Sequence, residues 1–185
     1  MLFKHSHERH IAVQTLTRAY ESHRCPNTHT STTLAVSKPR SHHQVKTIDI
    51  CSVGVLRVTT ALYQAKLLLE GSKMAVISSQ GGSLAWRAVQ CPEGGDYGHH
   101  MSKAAANMAG VLAANELKSK GIAVAILHPG FNRTDMTRKY SHIWDIEGAV
   151  DASVGAYRVL HEINLTNIDN TGRYINCEDG LSIPF

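Results

Sequence analysis

No glycine occurs before Gly54 in this 185-residue sequence. A turn that cradles a diphosphate needs glycine for its backbone conformation and its close approach to the ligand. Residues 1–53 therefore hold no dinucleotide-type glycine loop. No stretch approaches the length of an apolar helical span, which excludes that kind of membrane protein. An apolar secretory core is also missing near the first residues. The four cysteines, Cys25, Cys51, Cys91 and Cys177, include no Cys-x-x-Cys pair. Their spacing fits neither a zinc site nor a secreted disulfide framework, and it points to a reducing, cytoplasmic setting.

What charge there is lies to one side. Residues 1–46 hold seven Lys/Arg against two Asp/Glu, and the remainder holds twelve against thirteen, so the overall +4 belongs to the first segment. A nucleic-acid partner would require that charge on a folded face, and here it falls on a stretch with no helical or strand period. Seven of the twelve histidines and eleven Ser/Thr also lie in residues 1–46. This composition reads as a poorly structured extension, with an organellar transit peptide as the weaker alternative. A short amphipathic helix around Ile11–Tyr20 is compatible with the pattern. His5, His7 and His10 have no Cys or carboxylate at ligand spacing to complete a metal site.

From Thr47 onward, elements alternate. The stretch from Asp49 carries Val55, Leu56, Val58, Leu62, Leu67 and Leu69 and ends at Gly71, which predicts a helix of about four turns. KMAVISS reads as a buried strand. YGHHMSKAAANMAGVLAANELKSKG reads as a long helix with an Ala/Gly face, closed by Lys118, Lys120 and Gly121. IAVAILHPG is an unbroken apolar strand, of the kind covered on both sides. DASVGAYRVLHEI predicts a further helix and GRYINCEDG a last strand. Helix and strand in alternation predict an α/β fold with parallel strands and right-handed crossovers.

Ligands bind such sheets beyond the carboxyl ends of the strands. One strand end supplies Ser78, Ser79, Gly81, Gly82 and Ser83. The next supplies His128, Pro129 and Gly130, followed by FNRTDM. Lys103 and Ser102 lie in the first turns of the intervening helix, where an ammonium can reach the same crevice. Alone, Lys103 reads as a solvated helix lysine and Ser79 as a turn residue; together they mark a candidate site.

VISSQGGS, YGHHMSKAAANM and ILHPGFNRTDM, in that order and at those separations, resemble the short-chain dehydrogenases/reductases, especially their carbonyl-reductase-like branch. The resemblance runs from about Thr47 to Phe185 and implies a truncated Rossmann-like, three-layer domain over residues 47–185. It implies an NAD or NADP cofactor and a small carbonyl or alcohol substrate. Ser79 would orient the substrate carbonyl, and Lys103 would hold the nicotinamide ribose and assist the neighbouring acid. Pro129, Gly130, Asn132 and Thr134 would face the nicotinamide end. The helices over Val53–Leu69 and Tyr97–Lys118 would form a pairing surface for a homodimer or a heterodimer with a full-length relative. The Ala104, Ala105, Ala109, Ala113 run would let helices approach closely there.

The departures are specific. The family's proton-donating tyrosine lies one helical turn before the lysine, and that position is His99. Tyr97 lies six residues from Lys103, about 120° away around a regular helix. Imidazolium is a competent acid, with an unperturbed pKa near 6.5, but a lysine one turn away disfavours its charged form. Cys51 stands where the family's asparagine supports a water relay, and it offers little hydrogen bonding. About four strands of the usual sheet are absent, and residues 1–46 are too short and polar to replace them. Three functions follow: a carbonyl/alcohol oxidoreductase with its diphosphate cradle missing, a non-catalytic remnant that pairs through its helices, or, as the weakest, an unrelated small-ligand binder using the residual crevice.

Overall fold

Two strands occur where composition predicts none. The computed structural model describes residues 2–5, 8–13 and 41–185. Within it, Leu2–His5 (β1) and Glu8–Val13 (β2) form an antiparallel pair. β2 then runs parallel to Lys73–Ile77 (β3), with Val13 opposite Val76. Residues 2–5 and 8–13 are thus strand where an unstructured extension was expected, and the expected helix is strand at Ile11–Val13. Six residues are too few to show a period, and their partner lies some sixty residues away, so a local reading misses them. Residues 14–40, including most of the Ser/Thr-rich run and the rest of that expected helix, lie outside the described residues.

Thr47 is not a boundary either. Helix α1 spans Ser41–Ile48 and continues, without leaving the right-handed helical region, through a π-helical turn at Asp49–Val53 into α2 at Gly54–Gln64. Arg57 bridges this turn through two bonds to Asp49. The helix ends five residues before Leu69, because Lys66 adopts a left-handed conformation (φ 54°). That turn tucks Leu68 into the core and leaves Leu56, Val58, Leu67 and Leu69 exposed.

The elements α4 (Tyr97–Lys118), β4 (Ala123–His128), α5 (Ala152–Leu165) and β7 (Tyr174–Asn176) follow the sequence closely, and a short helix α3 (Leu84–Gln90) is added that it did not predict. The short strands β5 (Asn132–Arg133) and β6 (Val150–Asp151) form a separate parallel pair beyond β4. The main sheet has the order β1-β2-β3-β4-β7, and every pair after the first is parallel. A parallel sheet with helices on both faces matches the α/β, Rossmann-like expectation.

Strand alternation divides the core. Met74, Val76 and Val124 face α4, where Ala106, Ala109, Ala113, Ala114 and Leu117 meet them. Ala75, Ala125 and Leu127 face the other way, toward Ile163 of α5. Gly110 lets α4 approach the sheet, since a Cβ there would lie 2.7 Å from Ile126 Cγ1. Ala109 and Ala113, expected to serve helix pairing, are buried in this core. The outward stripe of α4 carries Met101, Met108 and Leu112 instead. Cys51 and Cys177 are buried without a disulfide.

Candidate active site

β3 ends at Ile77, and the chain turns sharply over the next six residues. Ser78 stays tied to the neighbouring strand through its N–H to the Leu127 carbonyl (2.7 Å). Its hydroxyl donates to Asn107 Oδ1 on α4. Ser79 is extended and caps a short 3-10 turn, Gln80–Gly82, with Oγ accepting the Gly81 N–H at 3.1 Å. Ser83 then caps α3, accepting the Trp86 N–H at 3.1 Å. Ser79 and Ser83 thus satisfy backbone groups that a turn would otherwise leave buried and unpaired.

The turn rests directly on the start of α4. A Cβ on Gly82 would lie 2.8 Å from the Lys103 carbonyl carbon and oxygen and 2.6 Å from Asn107 Nδ2. A Cβ on Gly81 would lie 2.8 Å from His99 Nε2 and 3.0 Å from His100 Nδ1. Only glycine permits this approach, and it brings the expected residues together. Ser79 is 3% exposed, His99 4% and Lys103 5%. Lys103 Nζ donates to the Ile77 carbonyl at 3.4 Å. Tyr97 belongs elsewhere: it opens α4, is partly exposed, and directs its hydroxyl toward Gly94.

Polar groups surround this cluster. His100 Nδ1 lies 2.9 Å from the Gly81 carbonyl, and burial lowers its basicity despite that contact. Asp96 precedes α4 in a left-handed conformation (φ 43°). Burial pushes its carboxyl up to about 6, against the opposing influence of Lys139, the His99 backbone N–H and His43. Burial in turn lowers the Lys139 ammonium, with Asp96 opposing. Cys51 lies in the π-helical turn, and its neighbour Ser52 donates to the Ser102 carbonyl at 2.9 Å.

The loop after β4 lies beside this turn, because β3 and β4 pair through Ile77 and Leu127. Gly130 has φ 82°, and Glu178 packs against its Cα. Asn132 is turned back into its own loop, donating to the carbonyls of Pro129 (3.0 Å) and Gly130 (3.1 Å). It builds the loop rather than presenting itself to a ligand. The Thr134 hydroxyl lies 3.3 Å from that of Thr137. Beyond it Phe131, Tyr140 and Ala149 form a small core, with Arg133 over the Trp144 ring at 5.9 Å.

A groove of about 720 Å³ lies elsewhere, between α5 and β7, with Arg158, Arg173, Glu162 and Asp179 among its lining residues. It contains none of the three clustered residues, and convergence of buried polar groups is the better guide to chemistry. Among the described residues no group of three or more His, Cys, Asp or Glu is placed to hold a metal, and no helix is long and apolar enough to cross a membrane. The sequence did not single out Asn107, Asp96 or Tyr174. Asn107 left a trace, an amide on an alanine face one turn beyond Lys103. Tyr174 left none, since the carbonyl its hydroxyl meets is Ser79's, 95 residues away.

Lys103 fits a nicotinamide ribose. Among the described residues its buried ammonium meets a single carbonyl, which leaves donors for vicinal hydroxyls. Residues 1–53 contain no glycine from which a diphosphate cradle could be built.

No protein-family model matches the chain. It is 39% identical over 93 residues to the 1-hydroxy-2-glutathionyl-2-methyl-3-butene dehydrogenase of Rhodococcus sp. (strain AD45), covering 50% of this chain and 38% of that protein. It is 32% identical over 142 residues to the C-signal protein of Myxococcus xanthus, covering 76% of this chain and 77% of that one. Its fold superposes on the carbonyl reductase Sniffer of D. melanogaster with a TM-score of 0.68 at 22% identity, covering 81% of this chain and 60% of that one. The NADPH-bound carbonyl reductase from chicken fatty liver gives 0.66 at 20% identity, with the same coverage. The chain thus spans well under two thirds of the length of the first of these relatives and of both reductases.

Proposed function

The chain belongs to the short-chain dehydrogenase/reductase family, and from that premise we propose that its crevice is the substrate and nicotinamide half of an NAD(P)-dependent oxidoreductase site. Its substrate is a small carbonyl or alcohol. The observation that carries this reading is the meeting of Ser79, His99 and Lys103 on one glycine turn at the end of β3. NAD(P)H, when bound, supplies the hydride to the carbonyl carbon. Ser79 accepts the Gly81 N–H, so its own hydrogen is left to donate to the carbonyl oxygen and stabilise the charge that develops there. Lys103 holds the ribose hydroxyls, and Pro129, Gly130 and Thr134 border the nicotinamide. His99, one turn before Lys103, gives the proton that completes the alcohol.

These residues hold one end of the cofactor only. Micromolar affinity requires about −8 kcal/mol, and contacts at the nicotinamide end fall short of that. The reading therefore combines competent local chemistry with weak cofactor affinity. The test is reduction of a panel of small aldehydes and ketones at millimolar NADPH. The expected result is slow turnover that His99→Ala abolishes while the fold is retained. A fully active His99→Ala protein would remove His99 from the mechanism.

A second reading is a non-catalytic chain that pairs with itself or with a full-length relative. It is favoured by the outward stripe of α4, where Met108 is 60% and Leu112 58% exposed, beside exposed Leu56 and Tyr63 of α2. Large apolar side chains aligned on one face are suited to an interface.

A further inference from the structure

We propose that Tyr174 is a positioning residue that fixes Ser79, with residues 183–185 closing over it. The role of Ser79 in chemistry rests on the reductase reading; its placement does not. Tyr174 lies on β7 and is 1% exposed. Its hydroxyl donates to the carbonyl of Ser79 itself. The same carbonyl accepts the Gly82 N–H at 2.9 Å, so both of its acceptor positions are engaged. With the carbonyl held on two sides, the Ser79 peptide cannot rotate, and Oγ stays where the Gly81 N–H finds it at 3.1 Å.

The following residues complete the clamp. The Ile183 N–H returns to the Tyr174 carbonyl at 2.8 Å, and the Ala85 N–H reaches the Phe185 carbonyl at 3.2 Å. Ser83 Oγ donates to the Pro184 carbonyl. The Phe185 ring lies on Tyr174 with centroids 5.5 Å apart. The turn is thus secured at Ser79, Ser83 and Ala85 by one stretch of chain. A core role alone would be met by phenylalanine, since the ring already packs in a cluster with Ile126 and Ile183. A buried phenol is tolerated where its hydroxyl is bonded, and here the partner is the carbonyl of Ser79, the serine of the proposed site.

Tyr174→Phe removes a single oxygen and keeps the ring. Amide hydrogen exchange followed by NMR is expected to speed up about tenfold at Gly81 and Gly82, the scale of one lost neutral hydrogen bond. Ile126 and Leu127 in β4 should keep their rates. Unchanged exchange at Gly81 and Gly82, or equal acceleration in β4, would overturn the proposal. If Tyr174→Phe loses cooperative folding, Phe185→Ala, which keeps the phenol and removes its cover, is read against the same two outcomes. In turnover assays Tyr174→Phe should lower kcat with KM for the carbonyl unchanged. Absence of turnover in the unaltered protein would count against the reductase reading, while the exchange rates still decide the positioning role.

Discussion

Gly82 and Asp96 are the single residues whose replacement is most telling. A methyl group at Gly82 meets the backbone of Lys103 at 2.8 Å, and a helix backbone cannot yield as a side chain does. Gly82→Ala is therefore expected to cost about 1–3 kcal/mol, the range for overpacking, as read from the urea midpoint. Asp96 gives a pH signature. Its folded carboxyl, at about 6, lies above the ordinary 3.8. The folded state thus holds the proton more tightly, and stability falls as pH rises through that window. Asp96→Asn removes the penalty and tolerates the left-handed backbone. It should be more stable than the unaltered protein, by a margin larger at about pH 8 than at about pH 5; equal margins would show that burial of Asp96 is not the cause. The sequence made Ser79, His99 and Lys103 legible because each lies in a short motif. It hid Asn107 and Tyr174 because their meaning depends on what the fold brings opposite them.

Among the elements, α4 does the most, carrying His99 and Lys103 on its first turns and Gly110 and the inner alanines against the sheet. Its limits were legible because Gly121 and the terminal lysines punctuate a long uninterrupted pattern. The α1–α2 segment was less so. Its π-helical turn and its left-handed exit at Lys66 have no sequence signal of the strength of glycine or proline. β1 and β2 were missed because strands of four and six residues are held by non-local pairing rather than by any period of their own. The outward stripe of α4 makes the pairing prediction. If the helices associate, sedimentation should give a dimer at micromolar protein, and Met108→Glu with Leu112→Glu should return it to a monomer with unchanged circular dichroism. A monomeric unaltered protein would remove the pairing reading.

For the molecule as a whole, the alternation of elements was enough to specify a parallel α/β sheet, and the ordered motifs its family. The sheet gains two strands from residues that composition assigned to an unstructured extension, yet those residues add no glycine and so no diphosphate cradle. On the proposed reading, Ser79, His99 and Lys103 meet the nicotinamide side, and residues 1–53 offer no glycine to anchor the diphosphate. Trp86, on the helix after the Ser79 turn, and Trp144, packed against the small core beyond Thr134, are the two tryptophans of the chain and serve as reporters. Titration of their fluorescence with NADPH tests the account most directly. The expected outcome is little change and no saturation up to about millimolar cofactor, while saturable quenching at about micromolar NADPH, an affinity near −8 kcal/mol, would contradict it.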